Sequence, residues 1–211
     1  MNLRNNMARG VTTTALLVAA TALAIPQAMA TNADTKSEIS SSTVGTAKPL
    51  GRLGGLTNLV IERIRVSDHV AESKFGTDSP IDDPAREEQV LEQVREQAAV
   101  VGVNPDAAVM FFRDQITASK VVQKGLFARW TAHPDEAPTS RPDLGQIREQ
   151  LDQLTKDLLQ ELKSTEELRD KPVACTVQLA LAAGSGAVLE QLDTLHRQAL
   201  RTATDSVCSP S

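Results

Sequence analysis

The chain is 211 residues long, with 22 basic and 27 acidic side chains and a formal charge of −5 at pH 7. That acidity argues against nucleic acid or an anionic membrane as a partner. Four Phe, one Trp and no Tyr leave a core of Leu, Val, Ile and Ala, which suits packed helices.

Arg4 and Arg9 precede the apolar run "ALLVAATALAIP", and "QAMA" follows it. A basic region, an apolar region and a small-x-small site in that order predict a signal peptide over residues 1–30, cut after Ala30. The mature protein is then secreted or periplasmic. The apolar run is too short to span a bilayer. Its loss removes two arginines and no acid, leaving 20 basic against 27 acidic side chains, a net −7. Residues 31–50 open with "TNADTKSEISSSTVGTAK", which has little to bury and is expected to be a flexible leader. Residues 51–211 are expected to form one domain.

Everything after Gly51 reads as helix, and about six helices are expected. Leu56, Val60, Arg63, Ser67, Val70 and Lys74 share one stripe of the first. "SPIDDPARE" starts the second, with Asp83 as N-cap and Pro84 at the first helical position, and Gly102 ends it. Asn104-Pro105 restarts the chain into a third helix, whose stripe is Val109, Phe112, Ile116, Ser119, Gln123, Leu126 and Trp130. "TAHPDEAPTSRPD", with three prolines, is a loop. A fourth helix points Leu144, Ile147, Leu151, Leu154 and Leu158 inward. Pro172 opens a fifth, the "GSG" at 184–186 is expected to turn it, and a last helix runs from about Ala187 to Cys208.

Cys175 and Cys208 are the only cysteines, and two cysteines in an exported chain form one disulfide. It closes a loop of about 34 residues, worth ~3.8 kcal/mol in the loop-entropy description. His69, His133 and His196 share no metal-ligand spacing and read as surface or loop histidines. No metal or cofactor is expected, since no phosphate loop or nucleophile motif is present.

Two inward positions of the third helix are polar, Ser119 and Gln123. Burying such groups without partners costs ~1–3 kcal/mol each. The first helix repeats the anomaly. Arg63 and Lys74 lie eleven residues apart, which returns a helix to within about 20° of its starting direction, about 16 Å further on. Asp83, Arg86 and Glu87 sit in the first turn of the second helix, and Arg148 flanks the stripe of the fourth. Each has an ordinary explanation alone: solvated or snorkelling cations, capping acids, a register-setting Gln. Four cations and two neutral polar groups leaning toward one interior favour a pocket for a small, multiply charged anion. Arg is the natural clamp for its carboxylates.

The order "ER…K…DDPARE…SKVVQ…R" resembles the all-helical AroQ-type chorismate mutases, in particular the exported gamma subclass of mycobacteria and their relatives. The similarity runs from about Leu56 to Cys208 and includes both cysteines and the Pro-rich loop. It implies the intramolecular Claisen rearrangement of chorismate to prephenate, in a pocket built within one chain, with no cofactor. Carried over, Arg63 and Arg148 grip the substrate carboxylates, and Lys74 contacts the ether oxygen and a carboxylate. Gln123 donates its amide N–H to the ether oxygen. Arg86 and Ser119 complete the anion shell, and Asp83 and Glu87 lie near the substrate hydroxyl. Lys74, Gln123, Arg63 and Arg86 are the catalytic set. Exported members carry Glu where Gln123 stands, and Val90 replaces a polar contact of a mycobacterial member. The resemblance also implies a homodimer.

Two other readings compete. A non-catalytic module capturing an aromatic dicarboxylate needs the carboxylate clamps but not Lys74 together with Gln123. A bundle whose polar interior only sets helix register binds nothing at all.

Overall fold

The computed structural model describes residues 48–209; the expected signal peptide, 1–30, and most of the leader lie outside them. Among the described residues there are seven α-helices and no strand. They are α1 (Gly54–Lys74), α2 (Pro84–Val101), α3 (Pro105–Ala132), α4 (Leu144–Ser164), α5 (Glu166–Arg169), α6 (Pro172–Leu189) and α7 (Thr194–Ala203). The helix beyond the expected six is α5, a single turn between α4 and α6.

Local chemistry sets the ends of these helices. The Asp83 carboxylate accepts from the Arg86 N–H at 3.1 Å, with Pro84 at the first position of α2. Gly102 closes α2 with φ 78°, a left-handed conformation that favours glycine. Asn104 caps α3 through the Asp106 and Ala107 N–H groups at 3.0 and 3.1 Å.

α1 and α3 form the centre. α1 packs against α3, α4, α6 and α7, and α3 also against α2 and α7. The α1 stripe is buried from Leu56 to Val70, including Arg63 and Ser67. Phe111 and Phe112 are buried edge-to-face, their ring centres 5.3 Å apart. Each such fully buried apolar side chain contributes ~1.5–3 kcal/mol.

The "GSG" at 184–186 does not turn the chain. α6 continues through it to Leu189, and the reversal comes just after, where Gln191 adopts φ 50°. Ser185 stays helical by donating its hydroxyl to the Leu181 and Ala182 carbonyls. A Cβ on Gly186 would come within 2.8 Å of Ile61 Cδ1 and 3.1 Å of Pro49 Cγ. That glycine therefore serves the close approach of α6 to α1. The last helix starts at Thr194 rather than Ala187, because Asp193 caps it by accepting from the His196 N–H at 2.8 Å. It ends at Ala203, and turns lead from there to Cys208. Cys175 and Cys208 are joined, with Cα atoms 5.6 Å apart, so α6 is fastened to the segment after α7.

His196 is not a surface histidine. Its Nδ1 lies 2.7 Å from Asp193 and its Nε2 2.9 Å from Asp68 on α1, and its side chain is 14% exposed. The hydrogen bond to Asp68, opposed by burial and reinforced by Asp193, raises its pKa to about 9. A pKa raised on folding stabilises fully below the unfolded value of ~6.5, and the contribution is lost as pH climbs through 9. Allowing for solvent screening, that contribution is on the order of 2 kcal/mol. The wild-type melting temperature should fall between pH 6.5 and 9.5, and His196→Gln should remove most of that fall. Parallel melting curves of the two proteins against pH would count against this pinning of α7 to α1.

Candidate active site

α1, α2, α3 and α4, with the loop before α2, enclose a cavity of about 270 Å³. That is close to the lower end of small-molecule sites, ~300 Å³. Arg63, Ser67, Val70 and Lys74 reach it from α1, and Ser79, Pro80, Ile81 and Asp83 from the loop side. Arg86, Glu87 and Val90 come from α2, and Ser119 and Gln123 from α3. Arg148 stands on α4 among Leu144, Ile147 and Leu151. All eight ligand-contacting residues expected from the sequence thus line one space. Its walls are apolar where Val70, Val90, Ile116 and Ile147 face it. A larger open hollow of about 670 Å³ lies beside Leu168, Val173 and Val177. It has no comparable convergence of polar groups.

Five cations line the cavity, Arg63, Lys74, Arg86, Lys120 and Arg148, against three carboxylates, Asp83, Glu87 and Asp152. The formal balance is +2, inside a chain whose own charge is negative. Arg63 is buried, and its Nη1 donates to the Leu151 carbonyl at 3.2 Å and Thr155 Oγ1 at 3.4 Å. Its guanidinium also lies 5.6 Å from the centre of the Phe112 ring. Burial, opposed by the Asp152 charge, lowers its pKa to about 10, so it remains cationic at neutral pH. No carboxylate hydrogen-bonds to it, and its fork is oriented by neutral acceptors. That is a held cation with capacity left for an anion.

Lys74 is half-buried, and its ammonium donates to the Pro80 carbonyl at 2.8 Å. Burial pushes it below the usual lysine value; Asp83 opposes that shift and Arg148 adds to it. The Gln123 amide is buried, and its Nε2 donates to Ser119 Oγ at 3.0 Å while its Oε1 has no partner. The amide nitrogen carries two N–H groups, so one is left for a ligand. A half-turn of the amide would let the Ser119 hydroxyl donate to Oε1 instead and free both. Arg148 is exposed at the cavity mouth, and Arg86 Nη1 donates to Gln89 at 3.4 Å.

Four polar lining residues on the helices escaped the sequence reading: Gln115, Lys120, Asp152 and Thr155. Gln115 is buried just off the α3 stripe and donates from Nε2 to the Ala203 carbonyl at 2.6 Å. Its contact is 88 residues away in sequence, which no local pattern reveals. Thr155 was within reach, because it follows Arg148 by seven residues and so shares its helix face.

A family model for chorismate mutase type II matches residues 55–124. The chain is 34% identical over 163 residues to a secreted chorismate mutase of Mycolicibacterium smegmatis, covering 77% of this chain and 90% of the relative. It is also 34% identical over 166 residues to a secreted chorismate mutase of Mycobacterium tuberculosis, covering 76% and 83%. The crystal structure of a chorismate mutase from Burkholderia thailandensis is 40% identical, with a TM-score of 0.68 over 73% of this chain and 99% of that one.

Proposed function

The chain belongs to the chorismate mutase family, and we propose that the four-helix cavity is where it rearranges chorismate to prephenate. The observation that carries this placement is the cavity's formal +2, which complements a dicarboxylate dianion. Arg63 and Arg148 grip the two carboxylates from opposite sides, one buried and one at the mouth. The apolar walls fit the ring. Arg86 and Ser119 complete the anion shell, and Asp83 and Glu87 accept from the ring hydroxyl.

The reaction breaks one C–O bond and forms one C–C bond within a single molecule, so no atom is gained or lost. Two effects are then open to the protein. It holds the reactive diaxial conformer, with the bond-forming carbons close together. It also stabilises the negative charge that grows on the ether oxygen as the C–O bond lengthens. Lys74 and the free N–H of Gln123 supply that second effect. A non-catalytic capture module has no use for this pair, and the family relatives are named as enzymes.

The mycobacterial relatives are named as secreted, and with the Arg4–Ala30 pattern this supports export, with cleavage after Ala30. We further propose a homodimer. Val173, Val177, Leu181 and Val188 lie on one exposed face of α6, an apolar surface suited to a second copy. A sedimentation experiment on Val177→Asp, expected to give monomer, checks it. For the activity, residues 31–211 purified from an oxidising compartment are expected to consume chorismate, read as loss of its ultraviolet absorbance, with prephenate as product. No turnover by the folded, disulfide-bonded protein overturns the reading.

A further inference from the structure

Lys120 is outside the eight residues that resemblance assigns, yet it lines the same cavity. Its ammonium is 3.0 Å from each Glu87 carboxylate oxygen and 3.6 Å from Asp82 Oδ1, and its side chain is 23% exposed. Lys124, one turn along α3, holds Asp82 Oδ2 at 2.8 Å. Two lysines of α3 thus face two carboxylates, one on the loop before α2 and one in its first turn.

We propose that Lys120 is a positioning residue for the reaction. It cancels the charge of Glu87 and fixes that carboxylate, so that a dianion can be admitted beside it. The inference rests on the chorismate reading of the cavity. Each carboxylate oxygen has two lone pairs. Lys120 engages both oxygens and leaves lone pairs for a substrate hydroxyl. Without Lys120, Glu87 loses the ion-pair partner that holds both its oxygens, in a cavity of about 270 Å³, and faces two more negative charges on the ligand. The formal balance of the lining drops from +2 to +1. The neighbouring cations do not replace it: Lys74 donates to Pro80 and Arg86 to Gln89.

A mere clasp between α2 and α3 makes a different prediction. Partly exposed pairs add little stability, so its loss would shift the melting temperature slightly and leave kinetics alone. The mature chain, Lys120→Met, Lys120→Arg, and Lys120→Met combined with Glu87→Gln are compared in steady-state turnover of chorismate, with melting curves for each. Lys120→Met should raise KM about tenfold with kcat within about threefold, the signature of lost binding common to ground and transition states. Lys120→Arg should keep KM near the wild-type value. The double variant should recover most of the KM, because a neutral amide no longer repels the dianion but still offers an acceptor. An unchanged KM in folded Lys120→Met, or a double variant no better than the single one, overturns the proposal. A wild type without turnover overturns the chorismate reading and this inference together. A wild type that turns over with indifferent variants overturns this inference alone.

Discussion

Lys74→Ala should lower kcat/KM for chorismate by about a thousandfold or more while the protein stays folded. Removing one neutral donor from a site of developing negative charge costs ~10²–10³ in rate, and a charged donor is stronger than a neutral one. Lys74 is half-buried, so its charge acts through less water than a surface lysine's. Its bond to Pro80 holds the loop that walls the cavity, and losing it costs about 1 kcal/mol of stability. Lys74→Met also loses the bond to Pro80 but keeps an apolar stem, so it separates loss of the ammonium from loss of side-chain packing. It should be as inactive as the alanine variant and melt closer to wild type. Chorismate consumption read by absorbance, beside circular dichroism melts, decides this. Activity of either folded variant within tenfold of wild type would remove Lys74 from the transition state.

The residues that were legible in the sequence are those whose environment is set by their own helix. Arg63, Ser67 and Lys74 lie on a stripe with Leu56, Val60 and Val70, so their inward direction follows from 3.6-residue periodicity alone. Asp83 was readable as a cap because Pro84 and the acidic first turn accompany it. Lys120 was not, because it sits beside Ser119 on the flank of the α3 stripe and resembles any solvated lysine. Its meaning comes from Glu87, 33 residues earlier in the chain. His196 was misread for a similar reason, since Asp68 is 128 residues away. Gly184 and Gly186 carried a strong local signal for a turn, yet α6 runs through both, and Gly186 packs closely against Ile61. Family likeness pointed to Arg63, Arg148 and Gln123, which line the same cavity. It could not reach contacts particular to this chain.

Gln123→Glu should make the enzyme's activity depend steeply on pH. In the wild type the amide nitrogen donates at every pH, so the profile is flat through neutrality as far as this residue is concerned. On the alkaline side it bends where Lys74 loses its proton, below the usual lysine range because of burial. A glutamate at 123 donates only when protonated, and the same cations that bind the substrate favour its ionised form. Once ionised, it places a negative charge where the ether oxygen is itself becoming negative. At pH 7.5 the variant should lose about a hundredfold to a thousandfold in kcat, comparable to removing one such donor outright. Toward pH 5 much of the rate should return as the carboxyl takes up its proton. The Ser119 hydroxyl, 3.0 Å from the amide nitrogen in the wild type, can serve either form, so local packing need not change. The profile of kcat from pH 5 to 9, with melts at each pH, is the measurement. A variant whose profile superimposes on the wild type's would mean that residue 123 does not face the breaking bond. A variant active only in acid would tie the donor to one atom of one side chain, and would show that glutamine at 123 is what lets this enzyme work at neutral pH.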